Sequence, residues 1–178
     1  YLTTKQAVPS TLISKSINRF LDNVVEMEIR DRRYGTAKQK KSLEYLRRIG
    51  AGVTNIVGLL MPKDLEYGTT EGNEFIEKFS ERYNYYLYKS SIELGKEKGS
   101  FKAFNKENYL KSHFIKSMIK RFPDLTFDTM RNVCLTSIAP VGTLSLMFSE
   151  LVASYGIEPA FFLCFCKRSR ISGEYKYY

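Results

Sequence analysis

The strongest chemical signal in the chain is a turn at residues 138–145, which reads Ile-Ala-Pro-Val-Gly-Thr-Leu-Ser. A β-type run over residues 131–138 enters this turn, and helix-forming residues leave it. That order gathers unpaired backbone N–H groups and the positive end of a helix dipole at one place, which suits a phosphate group. A plain strand-to-helix connector is the alternative interpretation, because Pro-x-Gly turns are common.

The chain is basic, with a formal charge of +9 from 28 Lys and Arg against 19 Asp and Glu. This charge favours anionic partners, whether nucleotides or nucleic acids, although a lysine-rich solvent face explains it as well. Residues 82–89 interleave tyrosines with basic side chains, as a stacking platform for single-stranded nucleic acid would. Helical spacing places Tyr83 in a buried stripe, so a core role is favoured. A basic helical nucleic-acid-binding module remains the alternative function.

Cysteine and histidine offer little chemistry in this chain. Three cysteines, Cys134, Cys164 and Cys166, lack the paired spacing of a disulfide framework, and buried reduced thiols predict a cytoplasmic protein. His113 is the single histidine, and no partner set for a metal or a catalytic triad accompanies it. We therefore predict no metal site.

Length and composition indicate a piece of one globular domain. The 178 residues are 43% hydrophobic and 26% charged, which is ordinary for a soluble protein. No apolar run approaches the roughly 20 residues that a membrane helix needs, so no membrane association is predicted. The first residues contain neither an initiating Met nor a secretory segment, and the last ones resemble an interrupted strand. We expect residues 1–178 to be part of a single domain truncated at both ends.

Hydrophobic periodicity predicts four helical regions separated by loops. They cover residues 10–30, 43–61, 70–99 and 107–121, with an exposed loop at 31–40 and Thr70 as the cap of the third. The first helix is expected to bury the apolar side chains that recur at helical spacing: Ile13, Ile17, Phe20, Leu21, Val24 and Val25. Strands are predicted at 131–138 and 160–165, and a hairpin through Ser172-Gly173 brings in residues 171–178.

Two glycines in the second helical region superficially follow the dinucleotide-binding pattern. Residues 50–55 read Gly-Ala-Gly-Val-Thr-Asn, so Asn55 stands where the third glycine is required. The preceding segment reads as helix rather than strand, and we therefore reject a Rossmann site. Close packing of the backbone against a neighbour is the expected use of Gly50 and Gly52.

Several segments together resemble the large catalytic subunit of ribonucleotide reductase, most closely the adenosylcobalamin-dependent class. In that class the turn commonly reads Ile-Ala-Pro-Thr-Gly-Thr-Ile-Ser, followed by Gly-Ile-Glu-Pro, which stands here at residues 156–159. The helix at 19–26, the Arg-Arg-Ile-Gly-Ala-Gly-Val segment at 47–53 and the stretch at 91–101 also resemble the family's sequence, in the family's order.

The resemblance implies a partial α/β barrel that takes part in reducing ribonucleotides to deoxyribonucleotides by thiyl-radical chemistry. The family's radical cysteine lies in an Asn-x-Cys-x-Glu loop, a pattern that residues 1–178 do not contain. It implies no catalytic residue here, and we expect the piece to be inactive alone. Adenosylcobalamin, nucleotide effectors, a thioredoxin-type reductant and a homodimer are also implied. Direct nucleic-acid binding is not.

The resemblance assigns to this piece the binding of the substrate di- or triphosphate. The implied binding residues share one turn: Ala139, Pro140, Val141, Gly142, Thr143, Leu144 and Ser145. Val141 departs from the family's Thr and removes a hydroxyl, which predicts weakened binding. Glu158 is expected either to orient a group near the site or to be a surface carboxylate before Pro159.

Overall fold

The computed structural model describes residues 11–31, 36–141 and 156–159, together with the backbone of 166–168 and 175–177. The chain divides into two compact units, Tyr1–Gly52 with Asn73–Ala139, and Val53–Gly72 with Pro140–Tyr178. Six α-helices are defined: α1 Thr11–Arg30, α2 Ala37–Leu46, α3 Ile56–Leu60, α4 Thr70–Lys98, α5 Lys106–Leu110 and α6 His113–Arg121. Strands β1 Cys166–Arg168 and β2 Tyr175–Tyr177 pair antiparallel.

The described part of the chain is mainly helical. Its strand pairings are the β1–β2 pair and one isolated parallel bridge between Ala51 and Thr136. The β1–β2 pair confirms the predicted hairpin, although it involves residues after the predicted 160–165 strand. These pairings do not make a barrel, so the partial α/β barrel stays a prediction.

Helix α4 is the clearest agreement with the sequence. It spans Thr70–Lys98, and Gly99 follows it with φ +83°, the left-handed conformation that ends many helices. The cap is Thr69 rather than the predicted Thr70, because Thr69 Oγ1 accepts a hydrogen bond from Gly72 N at 3.1 Å.

The predicted exposed loop at 31–40 is wrong in its second half. Helix α2 begins at Ala37, and Thr36 forms a capping box with Gln39, in which each side chain accepts from the other residue's backbone N–H. This local Thr-x-x-Gln pattern was available in the sequence.

The predicted helix over residues 43–61 is helical at both ends and wrong in its middle. Helix α2 ends at Leu46, and Arg47 takes φ +45° in the left-handed region. The chain is not helical again until α3 begins at Ile56, where Asn55 accepts from Gly58 N at 3.2 Å. The predicted last helix is likewise two, α5 and α6, which are broken at Lys111 and Ser112.

Helix α1 has the predicted length, and its buried face includes polar residues that the apolar pattern did not predict. The buried residues are Ser14, Asn18, Asp22 and Val25. In contrast, the apolar Phe20 and Met27 are 68% and 69% exposed. Of the predicted apolar stripe, Val25 is buried and Ile17 and Leu21 pack against the core, whereas Ile13 and Phe20 are exposed. The most buried positions of the helix are mainly polar ones that periodicity did not assign to the core.

The core of the first unit is built from aliphatic and aromatic side chains of α1, α4, α6 and the segment after α6. Its most buried members are Leu87, Leu125, Phe127, Met130 and Leu135, each no more than 1% exposed. This core supports the segment 131–139 that leads toward the predicted phosphate-binding turn.

Candidate functional site

The predicted phosphate-binding turn is described only at its beginning. Ala139 and Pro140 are exposed and Val141 is half-buried. Gly142, Thr143, Leu144 and Ser145 lie outside the described residues, so the phosphate-binding role of the turn stays a prediction.

Glu158 lies beside the first residues of this turn. A Cβ atom added at Gly156 would lie 2.6 Å from Glu158 Oε2 and 3.2 Å from Val141 Cγ2. Gly156 is buried, and its carbonyl accepts a hydrogen bond from Ile56 N at 3.1 Å. The structure thus places Val141 and the exposed Glu158 on the same side of Gly156.

The segment that leads into the turn is held by a parallel neighbour. Ile49 N donates to Cys134 O at 3.2 Å, and Ala51 N donates to Leu135 O at 2.8 Å. These two bonds and the bridge between Ala51 and Thr136 align residues 48–52 with 133–137 in the same direction.

Gly50 and Gly52 make this alignment sterically possible. An added Cβ at Gly50 would lie 2.4 Å from Ser137 Oγ, and one at Gly52 would lie 2.7 Å from Ser137 O. The two glycines are two residues apart, so they face the same side of an extended chain. The expectation of close backbone packing at these glycines is confirmed, although in an extended segment instead of a helix.

A buried ionic cluster centred on Asp22 anchors the same segment, and the sequence analysis did not find it. The Asp22 carboxylate is fully buried. Arg47 Nε donates to it at 2.9 Å and Arg131 Nε at 3.1 Å, while Asn132 Nδ2 donates at 3.2 Å. Three donors from two distant parts of the sequence therefore meet one carboxylate of α1.

Backbone acceptors complete the cluster. Asn132 Nδ2 also donates to Arg47 O at 3.0 Å, and Arg47 Nη2 donates to Asp22 O at 3.2 Å. Arg131 Nη1 donates to Lys98 O at 3.0 Å and to Gly99 O at 3.2 Å, at the end of α4. With these bonds the buried guanidinium groups are well supplied with acceptors, as buried charges require.

Glu26 adds a second carboxylate at the edge of the cluster. Arg47 Nη1 donates to Glu26 Oε2 at 3.0 Å, and Arg30 Nε donates to Glu26 Oε1 at 3.0 Å. Partial burial acts to raise the pKa of Glu26, but the hydrogen bonds from Arg47 and Arg30 outweigh it and the net pKa is lowered.

A pocket of about 540 Å³ opens beside the cluster. It is lined by Asn23, Glu26, Met27, Arg30, Lys98 and Arg131. The cationic groups of this lining already bind acceptors of the protein, for example Lys98 Nζ with Asn23 Oδ1 at 2.8 Å. The arrangement is that of an internal structural network.

The tyrosine-rich part of α4 is engaged in packing. Tyr88 is buried, and desolvation is the main cause that raises its pKa to about 12. The Tyr85 ring lies 4.6 Å from that of Phe122 between centroids, and Tyr85 Oη donates to Asp124 at 2.8 Å. Tyr83 is half-buried. These contacts favour the core interpretation over a nucleic-acid stacking platform.

Cysteine and histidine contribute no cluster among the described residues. Cys134 is a half-buried free thiol whose Sγ lies 4.0 Å from Arg48 Nη1, and His113 is exposed at the start of α6. Cys164 lies outside the described residues. Within the part of the chain that the structure describes, no group of His, Cys, Asp or Glu is arranged to hold a metal ion, and no helix is long and apolar enough to cross a membrane.

Comparison with known proteins gives one consistent family. A family model described as "Ribonucleotide reductase, barrel domain" matches residues 11–178. The chain is 32% identical over 149 residues to a vitamin B12-dependent ribonucleoside-diphosphate reductase of Thermoplasma acidophilum, which covers 84% of this chain and 17% of the relative. The corresponding enzyme of Mycobacterium tuberculosis H37Rv is 28% identical over the same length, with 84% and 18% covered.

A relative without the B12 designation matches as well. It is the ribonucleoside-diphosphate reductase subunit alpha of Chlamydia muridarum, 28% identical over 180 residues, with 88% of this chain and 16% of the relative covered. The chain thus spans less than a fifth of the length of these relatives.

Proposed function

Because the chain belongs to the ribonucleotide reductase barrel-domain family, we propose that it forms part of an oxidoreductase that converts ribonucleoside diphosphates to 2′-deoxyribonucleotides. The diphosphate is favoured over the triphosphate because the relatives named above are ribonucleoside-diphosphate reductases. The proposed whole enzyme is a cytoplasmic protein that uses nucleotide effectors and a thioredoxin-type reductant, and it forms a homodimer.

The proposed chemistry is a thiyl radical that abstracts the 3′ hydrogen of the ribose, followed by reduction with a cysteine pair. Cys134, Cys164 and Cys166 match neither the radical cysteine nor the reducing pair by their sequence context. The proposed role of this chain is therefore to hold the substrate while cysteines elsewhere in the enzyme react.

In this role the backbone N–H groups of residues 139 and 141–145 bind the diphosphate, and the hydroxyls of Thr143 and Ser145 donate further hydrogen bonds. Amide donors at the start of a helix suit this task because they are fixed in direction and reinforced by the helix dipole. The observation that carries the proposal is the family match together with the Ala-Pro-Val-Gly-Thr-Leu-Ser turn within it.

Adenosylcobalamin is proposed as the cofactor on the names of two relatives, and it would supply the radical when bound. Among the described residues, His113 is exposed and Cys134 is a half-buried free thiol, and neither is assigned a contact with the cofactor. We therefore assign no residue of this chain a role in the chemistry of the cofactor.

The first test is the complete reading frame that encodes the chain. An Asn-x-Cys-x-Glu loop upstream of Tyr1 is expected, because the family's radical cysteine lies in such a loop. A frame that begins at Tyr1 and contains no such loop would refute the reductase activity and leave binding as the function to test.

The second test is nucleotide binding by the polypeptide of that complete frame. We expect CDP to bind more tightly than cytidine in isothermal titration calorimetry. A double variant, Thr143→Val with Ser145→Ala, should weaken CDP binding about tenfold or more, because hydrogen bonds to charged groups contribute about 1.5–3 kcal/mol each. Ser112→Ala, which removes an exposed hydroxyl without a side-chain cap bond, is the matched control. Equal affinities for CDP and cytidine would contradict a phosphate-binding turn.

A further inference from the structure

We propose that the exposed face of helix α2 binds a single-stranded nucleic acid through its phosphates and one stacked base. This face, hereafter the α2 face, combines four lysines with one carboxylate and one aromatic ring: Lys38, Lys40, Lys41, Lys102, Glu44 and Tyr45. All six residues belong to the first compact unit. The inference goes beyond the proposed function and does not depend on it.

The net positive charge of the chain is concentrated in the sequence around this helix. Residues 30–48 contain eight Lys and Arg against two Asp and Glu, which is a net charge of +6, whereas the whole chain carries +9. Two-thirds of the net charge therefore comes from about a tenth of the sequence. A general excess of lysine on the solvent-facing surface would be spread more evenly, so this clustering indicates a local anionic partner.

The lysines of the α2 face have one carboxylate among them. Glu44 lies 3.9 Å from Lys40 Nζ and 3.4 Å from Lys102 Nζ, so two lysines share it. Lys38 and Lys41 are exposed, and neither forms an ion pair with a carboxylate of the described residues. The face therefore keeps an excess of positive charge that its own residues do not neutralise.

Tyr45 adds an aromatic ring among these ammonium groups, and it is 44% exposed. Lys41 Nζ lies 5.7 Å and Lys102 Nζ 6.0 Å from the centroid of this ring. Successive spacings of four and three residues also place Tyr45, Lys41 and Lys38 along one stripe of α2. Single strands bind to such a combination, because cationic groups neutralise the phosphates while a base stacks on the ring.

Both ends of α2 are held, which fixes the position of the face. The capping box of Thr36 and Gln39 defines the first turn of the helix. Near the other end, Ala103 N donates a hydrogen bond to Tyr45 O at 3.1 Å. The lysines and the ring are therefore presented together before a ligand binds, and this reduces the entropy that binding must overcome.

The residue types of the α2 face favour a nucleic acid over an acidic protein segment. Arginine is the residue that binds carboxylates best, because its planar group contacts both oxygens, whereas lysine acts as a point charge that suits phosphates. All four cationic groups of the face are lysines. An acidic segment would also bring no ring to stack on Tyr45. A single strand is favoured over a duplex because its bases are free to stack on a side chain.

The test measures binding of a fluorescein-labelled oligothymidylate of about 20 nucleotides, by fluorescence anisotropy, to the polypeptide of the complete reading frame. The double variant Lys38→Gln with Lys41→Gln removes two exposed charges of the α2 face. The matched control is Lys116→Gln with Lys120→Gln, which removes the same charge from exposed positions of α6. A further variant, Tyr45→Leu, removes the ring and keeps an apolar side chain. All variants are compared at a temperature where far-UV circular dichroism shows them folded.

We expect the wild-type polypeptide to bind the oligothymidylate with an affinity that falls as the salt concentration rises. Each phosphate contact to a single strand contributes about 0.7 to the slope of log affinity against log salt, so the α2 double variant should reduce this slope by about 1.4. The α6 double variant should leave the slope close to that of wild type. Tyr45→Leu should weaken binding about fivefold or more at an unchanged slope, because the stacking of one base is lost.

Two results would overturn the inference: no binding of the oligothymidylate at low salt, or equal slopes for the α2 and α6 double variants. A third would assign the face to an acidic protein segment and overturn it equally. In that case poly-L-glutamate binding is weakened by the α2 double variant, and Tyr45→Leu leaves oligothymidylate binding unchanged. Failure of CDP to bind would refute the proposed function alone, because none of the substituted residues belongs to the predicted phosphate-binding turn.

Discussion

Replacing Asp22 by Asn removes the charge of the buried cluster while keeping the shape of the side chain. The carboxylate is fully buried and accepts from Arg47, Arg131 and Asn132 at 2.9–3.2 Å. An amide presents one oxygen instead of two, and its NH₂ group faces cationic donors. Arg131 then loses its carboxylate partner at 3.1 Å and keeps only Glu26 at 3.9 Å, whereas Arg47 retains Glu26 at 3.0 Å.

The loss of stability expected for Asp22→Asn follows from the burial of this carboxylate. Breaking a buried ion pair by removing one partner costs about 3–5 kcal/mol, because a charge is left uncompensated. The matched comparison is Glu26→Gln, which also removes a carboxylate bound to Arg47. The Glu26 side chain is 35% exposed, so the loss there should be about 0–1 kcal/mol.

Native-state hydrogen exchange at the Ala51 amide measures the loss of stability in both variants, and it does not assume that the whole protein unfolds in one step. Asp22→Asn should accelerate exchange by about 100-fold to about 4,000-fold, and Glu26→Gln by no more than about fivefold, at about 1.4 kcal/mol per factor of ten. Exchange in Asp22→Asn within a factor of about five of wild type would refute the view that buried Asp22 organises the unit.

Three further outcomes follow from the fold. Gly52→Ala should lower the free energy of unfolding by about 1–3 kcal/mol, because the added Cβ would lie 2.7 Å from the Ser137 carbonyl oxygen and the backbone must move. A thermal midpoint within about 1 °C of wild type would contradict this. Thr36→Ala should accelerate exchange at the Gln39 amide about fivefold, because loss of an N-cap costs about 1 kcal/mol; unchanged exchange would exclude the capping box. Folding lowers the pKa of Glu26 from 4.5. The ionised Glu26 therefore contributes its full stabilisation of the folded state above pH 4.5, and this contribution is lost as the pH falls through the pKa of Glu26 in the folded protein. Acid titrations of thermal stability should therefore show a weaker decline below pH 4.5 for Glu26→Gln, and parallel curves would refute the assignment.

The parts of the fold that the sequence predicts correctly are those with local signals. Helix α4 has a long periodic pattern, acidic Glu71 in its first turn, Lys96 and Lys98 in its last, and Gly99 after it. All of these act within a few residues of one another, so the sequence alone identifies the helix.

Helix α1 shows what periodicity cannot predict. Its apolar residues suggested one buried face, yet the buried stripe contains Ser14, Asn18 and Asp22. Asp22 is inside because Arg131, 109 residues away, supplies its counter-charge. That pairing leaves no trace near Asp22 in the sequence. The only available signal was the spacing of Ser14, Asn18 and Asp22 at intervals of four, which marks a second continuous face.

The glycines at positions 50 and 52 show how one sequence pattern serves two structures. In a dinucleotide-binding loop, glycines admit a phosphate close to the backbone. In this chain they admit the neighbouring segment at Ser137, where an added Cβ would lie 2.4 Å and 2.7 Å from its Oγ and O atoms. Both uses require the absence of a Cβ, so the glycines alone cannot distinguish them. The hydrogen bond of Ala51 N, between the two glycines, does distinguish them: it is made to Leu135 O, and a phosphate would need that donor free.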